Sequence, residues 1–169
     1  MSHDLPIELK RLASLNLTPE QLQEYDVLIL PENFDSSDNG KKRDAQDAIN
    51  LSKQLKEQGL ACANSYDLGI EVPTIERRSH DFWFGEIFIL KDIVIPIVTG
   101  VIYTILAPVI QKKLVKKDSR TPTEAIHTTI TISKEDEFAQ IDYNGDPETF
   151  LKILDALKNK NDEQKIANK

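Results

Sequence analysis

IVIPIVTGVIYTILAPVI, residues Ile93 to Ile110, contains no Asp, Glu, Lys, Arg or His and distributes apolar side chains all round a helical projection. A helix without a polar face has to be shielded from water by a protein core, a partner or a bilayer. The fold follows from which of these three covers it. A lysine cluster comes directly after it, with Lys112, Lys113, Lys116 and Lys117, as at the cytosolic flank of a spanning helix. That orientation would carry a long acidic N-terminal part across the membrane. MSHDLPIELKRLASLN has neither the apolar core nor the small-residue cleavage site of a signal peptide, so no export route is expected at that end. Pro96, Gly100 and Pro108 are compatible with lipid or protein surroundings.

The neighbouring segments decide in favour of protein, because each has an apolar surface to cover. YDVLIL at Tyr25 to Leu30 is a short aliphatic run stopped by Pro31, which suits a strand buried on both faces. From Lys41, Ala45, Ala48, Ile49, Ser52 and Leu55 recur at helical spacing, and Gly59 stands where a left-handed C-terminal cap belongs. LACANSY at Leu60 to Tyr66 completes a strand, helix, strand unit, whose strands are expected to be parallel. DFWFGEIFIL, holding Trp83, Phe84, Ile87 and Phe88, reads either as a strand or as the lead-in to the apolar helix.

After the lysines, Ala125 to Lys134 alternates Ile126, Ile130 and Ile132 with His127, Thr129, Thr131 and Ser133, and Phe138 to Tyr143 alternates again, predicting a hairpin with one dry face. Asp146 and Pro147 then open a helix whose apolar face is Phe150, Ile153, Leu154 and Leu157. Ahead of all these, Leu5 to Leu15 suits a short amphipathic helix, and Thr18, Pro19 and Gln21 make a capping box for another ending near Glu24. The expected architecture is one α+β domain over residues 1–158 with a fraying polar tail at 159–169. Its small mixed sheet has about four strands, a parallel pair and a C-terminal hairpin, and packs with helices around a buried, kinked apolar helix. Any apolar surface left over on that helix is expected to meet a partner or a second copy.

Composition narrows function. A net charge of −7 and a pI near 5.0 argue against general nucleic-acid binding, which relies on clustered cations. Cys62 is the single cysteine, which excludes an intrachain disulfide and a cysteine-based zinc site and fits a reducing cytoplasm. His3 and His127 have no companion at ligand spacing, and no cofactor is expected.

Two acidic groups are candidates for chemistry. Glu32, Asp35 and Asp38 follow the first strand, at the end of a parallel pair where α/β sheets bind ligands, and such oxygens suit magnesium; equally, acids in turns cap helices. The loop has one glycine and no G-K-S/T pattern, so it is not a phosphate loop. His80, Asp81 and Glu86 surround Trp83, and a His with a carboxylate can act as acid or base, although aromatics with solvated charges nearby also describe an interface or core edge.

EYDVLILPENFDSSD, the helix after it, QLKEQGLACANSYDLG and DFWFGE are similar to the opening of TIR-type domains. That resemblance implies an NAD-cleaving activity, with Glu76 in PTIERR as the nearest candidate for the glutamate; a nucleotide or NAD hydrolase would use Glu32, Asp35 or Glu76. Over a longer span, the order of strand, helix, strand, IVTGVIYTILAPVI, the basic QKKLVKK, a Thr-rich hairpin and GDPETFLKILDAL resembles small effector-associated constant components of bacterial conflict systems. This second resemblance implies a non-enzymatic coupling module. On balance a protein-interaction module is expected, with Trp83, Phe84, Ile87, Phe88 and the exposed part of the apolar helix as its contact surface; a nucleotide or NAD hydrolase and a membrane-associated protein are the alternatives.

Overall fold

The computed structural model describes Leu12, Leu15, residues 17–32, Phe34, and residues 44–70, 74–75, 82–115, 125–134 and 137–167. Two units of strand, helix and parallel strand build its sheet. In the first, β1 (Val27–Leu30) leads through α2 (Gln46–Glu57) to β3 (Cys62–Ala63), which pairs with β1 in parallel at Val27 and Cys62. Gly59 stops α2 at φ 87°, and the N–H of Leu60 reaches back to the carbonyl of Leu55, which satisfies an end carbonyl that the helix itself leaves open. In the second unit β5 (Phe82–Ile89) leads through a 3-10 turn (Asp92–Val94) and α3 (Ile95–Val115) to β6 (Ile126–Lys134), again in parallel.

The apolar stretch is therefore a crossover helix. β5 also runs antiparallel to β1, pairing Leu28 with Phe88, and so joins the two units edge to edge. β7 (Glu137–Gly145) folds back on β6 as the expected hairpin, giving the order β3-β1-β5-β6-β7. The fold is α+β with a mixed sheet. It has five strands where about four were expected, because DFWFGEIFIL is a full strand and not a lead-in to the helix. A separate parallel pair, β2 (Asp44–Ala45) with β4 (Thr74–Ile75), is too short to leave a pattern in the sequence.

Strand alternation sends side chains to two cores. Val27 and Ile29 of β1, Phe84, Ile87 and Ile89 of β5 and Ile126, Ile130 and Ile132 of β6 meet Ala48, Leu51 and Leu55 of α2, Val98, Ile102 and Leu106 of α3, and Phe150, Leu151 and Leu154 of α4 (Pro147–Ala167). Three helices thus cover one face, with α3 in the middle, packed against both α2 and α4. Flanked on both sides as well as beneath, α3 gains nothing from charged residues at most of its circumference. Each fully buried aliphatic side chain there contributes about 1.5–3 kcal/mol.

The opposite face is covered only in part. Leu28, Leu30, Ala63 and Phe88 pack with Leu12, Leu22 and Phe34, and the ring of Phe34 meets that of Phe88 edge-on at 5.7 Å. Among the described residues this second cluster includes no side chain of β6 or β7. Leu22 comes from α1 (Pro19–Gln23), which starts with the expected capping box: Thr18 Oγ1 accepts from the Gln21 N–H and Gln21 Oε1 from the Thr18 N–H. Of the amphipathic helix expected over Leu5–Leu15, only Leu12 and Leu15 lie within the described residues, and both pack in this cluster.

Among the described residues no helix is long and apolar enough to cross a membrane. The charge-free part of α3, Ile95 to Gln111, is only about 25 Å long at a helical rise of about 1.5 Å per residue, short of a hydrocarbon core of about 30 Å. The C-terminal helix starts as its sequence predicts. Asp146 caps it through the N–H of Thr149 at 2.9 Å, and α4 runs on to Ala167, through the polar segment from Asn159.

Candidate interaction surface

α3 is not apolar-and-buried all round. Its inner side, Ile95, Val98, Val101, Ile102 and Leu106, is buried, whereas Ile97, Gly100, Tyr103, Thr104 and Pro108 are exposed, as is Ile93 in the 3-10 turn that leads into it. Ile93 is 65% exposed, Ile97 39% and Tyr103 53%. Only one other large hydrophobic side chain is comparably exposed among the described residues, Tyr66 in the turn after β3, so the exposed apolar surface is concentrated on this helix. The backbone beneath it is locally self-sufficient: Thr99 Oγ1 donates to the Pro96 carbonyl and Thr104 Oγ1 to that of Gly100. Both hydroxyls are thereby used inside the helix, which leaves the strip with little polar character despite Thr104.

The two neighbouring helices carry exposed charges of both signs, Lys53 and Glu57 on α2 and Lys152 and Asp155 on α4, whereas the described exposed positions of α3 are uncharged.

The aromatic segment expected to share this surface lies elsewhere. Phe84 and Ile87 are fully buried in the core under the helices, and Phe88 is 2% exposed in the second cluster. Their side chains hold the sheet together, so they are not a contact surface. Trp83 is half-buried on the sheet face away from α3, where it stacks on the His127 ring at a centroid distance of 3.9 Å and an interplanar angle of 18°. His127 Nδ1 lies 2.6 Å from Asn144 Oδ1 on β7, and beside this pair Thr129 Oγ1 donates to Asp142 Oδ1, also at 2.6 Å. The sequence placed His127 on the polar face of its strand but gave no hint of Trp83, since the pairing spans two strands and a helix.

A bulge in β5 sets this geometry. Register slips between Trp83 and Gly85, and Gly85 adopts φ 69° with its Cα so close to β1 that a Cβ would stand 2.4 Å from the Leu30 carbonyl oxygen. The extra residue keeps both Phe84 and Ile87 on the helix-covered side, three positions apart in a strand whose period is two. Thr128 Oγ1 donates to the Gly85 carbonyl at 3.1 Å and holds the bulge from the neighbouring strand.

Glu32 is half-buried where the chain leaves β1, and Glu86 is buried on β5. Asp35, Asp38, Glu76, His80 and Asp81 lie outside the described residues. Among the described residues no three His, Cys, Asp or Glu side chains are grouped to hold a metal ion. At the end of β3 the polar side chains serve the fold: Asp67 Oδ2 accepts from the N–H of Asn64 and pairs with Lys56, while Asn64 Nδ2 donates to the buried Ser52 hydroxyl. Burial pushes the Cys62 thiol up to about 12, far from the range of a reactive thiolate.

No protein-family model, curated protein or solved structure matches this chain.

Proposed function

We propose that this protein is a non-enzymatic interaction module that presents the outer strip of α3 to a protein partner or to a second copy of itself. The supporting observation is that Ile97 and Tyr103 on α3, and Ile93 in the turn leading into it, are exposed while the inner side of the helix is spent on packing. A large apolar strip in water costs solubility, and a contact that covers it offsets that cost. A coupling role in a bacterial conflict system, as the resemblance to effector-associated components implies, is in keeping with such a module, and a cytoplasmic setting suits its one buried thiol.

Affinity capture from a host lysate, with wild type and with Ile97→Lys/Tyr103→Ser as bait, tests the reading when combined with sedimentation of both proteins. The expected result is a partner or a self-association present for wild type and lost in the variant. Identical capture and identical sedimentation of the two proteins would remove the strip from any role in binding.

A further inference from the structure

We infer that the occupant of the α3 strip is the α3 strip of a second copy, packed antiparallel about a two-fold axis that passes on the outer side of the helix between Gly100 and Thr104. The inference rests on the interaction reading above and names its partner. Ile97, Gly100, Thr104, Ala107 and Gln111 follow one another on α3 at alternating spacings of three and four, the seam along which two helices pack. Along that seam Ile97 is large, and Gly100, Thr104 and Ala107 after it are small.

An antiparallel two-fold centred at position 102 sets the large Ile97 against a small residue and keeps bulk away from the middle. Ile97 falls opposite Ala107 and Gly100 opposite Thr104, so knobs meet hollows and the backbones approach closely at the middle. The same centre places Ile93 opposite Gln111 and Asp92 opposite Lys112. Positions of opposite sign thus share a register at both ends of the pair, and the two helix dipoles run antiparallel. A parallel pair about an axis along the helix sets Ile97 on Ile97, Gly100 on Gly100 and Lys112 on Lys112, which leaves a gap at the middle and like charges at the ends. With a net charge of −7 per chain, association is least opposed through an uncharged strip. Tyr103, beside the seam and 53% exposed, adds a large amphipathic ring at the edge of the contact, as is common at interfaces.

Sedimentation equilibrium of the full chain tests the pairing. The expected mass is twice 19.2 kDa, and Ile97→Lys is expected to weaken the dimer at least roughly 30-fold while leaving the thermal unfolding curve of the monomer in place. Orientation is read by cysteine cross-linking, because the buried Cys62 does not compete for oxidant. Ile97→Cys/Ala107→Cys forms an interchain disulfide on mild oxidation in the antiparallel pair, and Ile97→Cys alone does not. A monomer at 100 µM or so, or efficient cross-linking by Ile97→Cys alone, overturns the inference. If the chain is monomeric and yet captures a protein in an Ile97-dependent way, the interaction reading stands and only the second copy is lost.

Discussion

The two faces of the sheet carry the same five strands and are finished differently. One is sealed from β1 to β7 by α2, α3 and α4, with Phe84, Ile87, Ile102 and Phe150 fully buried between the layers. The other is sealed over β3, β1 and the end of β5 by Leu12, Leu22 and Phe34, and over β6 and β7 it presents His127, Thr129, Gln140, Asp142 and Asn144. The difference is one of patterning in β6 and β7. Every second residue there is polar, so an apolar layer on that side would strand hydroxyls and amides away from water. Stability is expected to be concentrated on the sealed face, with the open half of the other free to vary.

That contrast is most exposed to test at Phe84. Removing its ring leaves a cavity in a layer that helices hold on one side and strands on the other, and Phe84→Ala is expected to lower the unfolding free energy by about 3–5 kcal/mol in urea titrations. A loss below about 1 kcal/mol would mean the sealed face is loosely packed and the contrast is false. Next in size is Gly85→Ala. An L-residue at φ 69° costs about 1–2 kcal/mol, and contact with the Leu30 carbonyl adds to it because that atom belongs to the sheet backbone and cannot swing aside. A loss of at least about 2 kcal/mol is expected, with Trp83 fluorescence shifted because the bulge fixes which way the indole faces.

Gly85 also shows where reading the residues reaches its limit. β1, α2, β3, the hairpin and the capped start of α4 all follow from short-range patterns: alternation, helical spacing, Gly59 as a stop and Asp146 as a cap. β5 does not, since a bulge breaks the period of two and four bulky side chains in DFWFGEIFIL obscure it further. For the same reason Phe84, Ile87 and Phe88 read as a contact surface when they are core, and nothing in the pattern shows that Trp83 stacks on His127 of the neighbouring strand. Hydropathy gave the helix but not its exposed strip, because Ile97 and Val98 are alike in character and differ only in what lies beside them.

A smaller effect is expected on the open half. His127 contributes a stacked ring to Trp83 and a hydrogen bond to Asn144, both near solvent. His127→Ala is expected to cost about 0.5–1.5 kcal/mol, several-fold less than Phe84→Ala measured in the same way. An equal cost would erase the distinction between the faces and make the polar platform a structural necessity.

The smallest effect lies where the two faces meet. Asp47, in the first turn of α2, accepts the N–H of Trp83 at 3.0 Å and so ties the helix-covered side to the strand that carries the exposed stack. Two influences act on its carboxyl in opposite directions. Burial disfavours the charge and raises its pKa, the Trp83 N–H favours the charge and lowers it, and burial prevails, leaving the group above its ordinary 3.8. A carboxyl that holds its proton more tightly in the folded protein contributes most to stability below pH 3.8, and that contribution is lost as pH climbs through the raised folded value. Asparagine keeps the Oδ1 acceptor and has no charge to desolvate, so Asp47→Asn is expected to gain on wild type as pH rises from 3.8 and to match or slightly exceed it at pH 7. Urea midpoints for both proteins between pH 3 and 7 measure this directly. If wild type gains on the variant over that range instead, the N–H and the helix dipole outweigh burial, and the tie between the faces is a charged one that strengthens with pH.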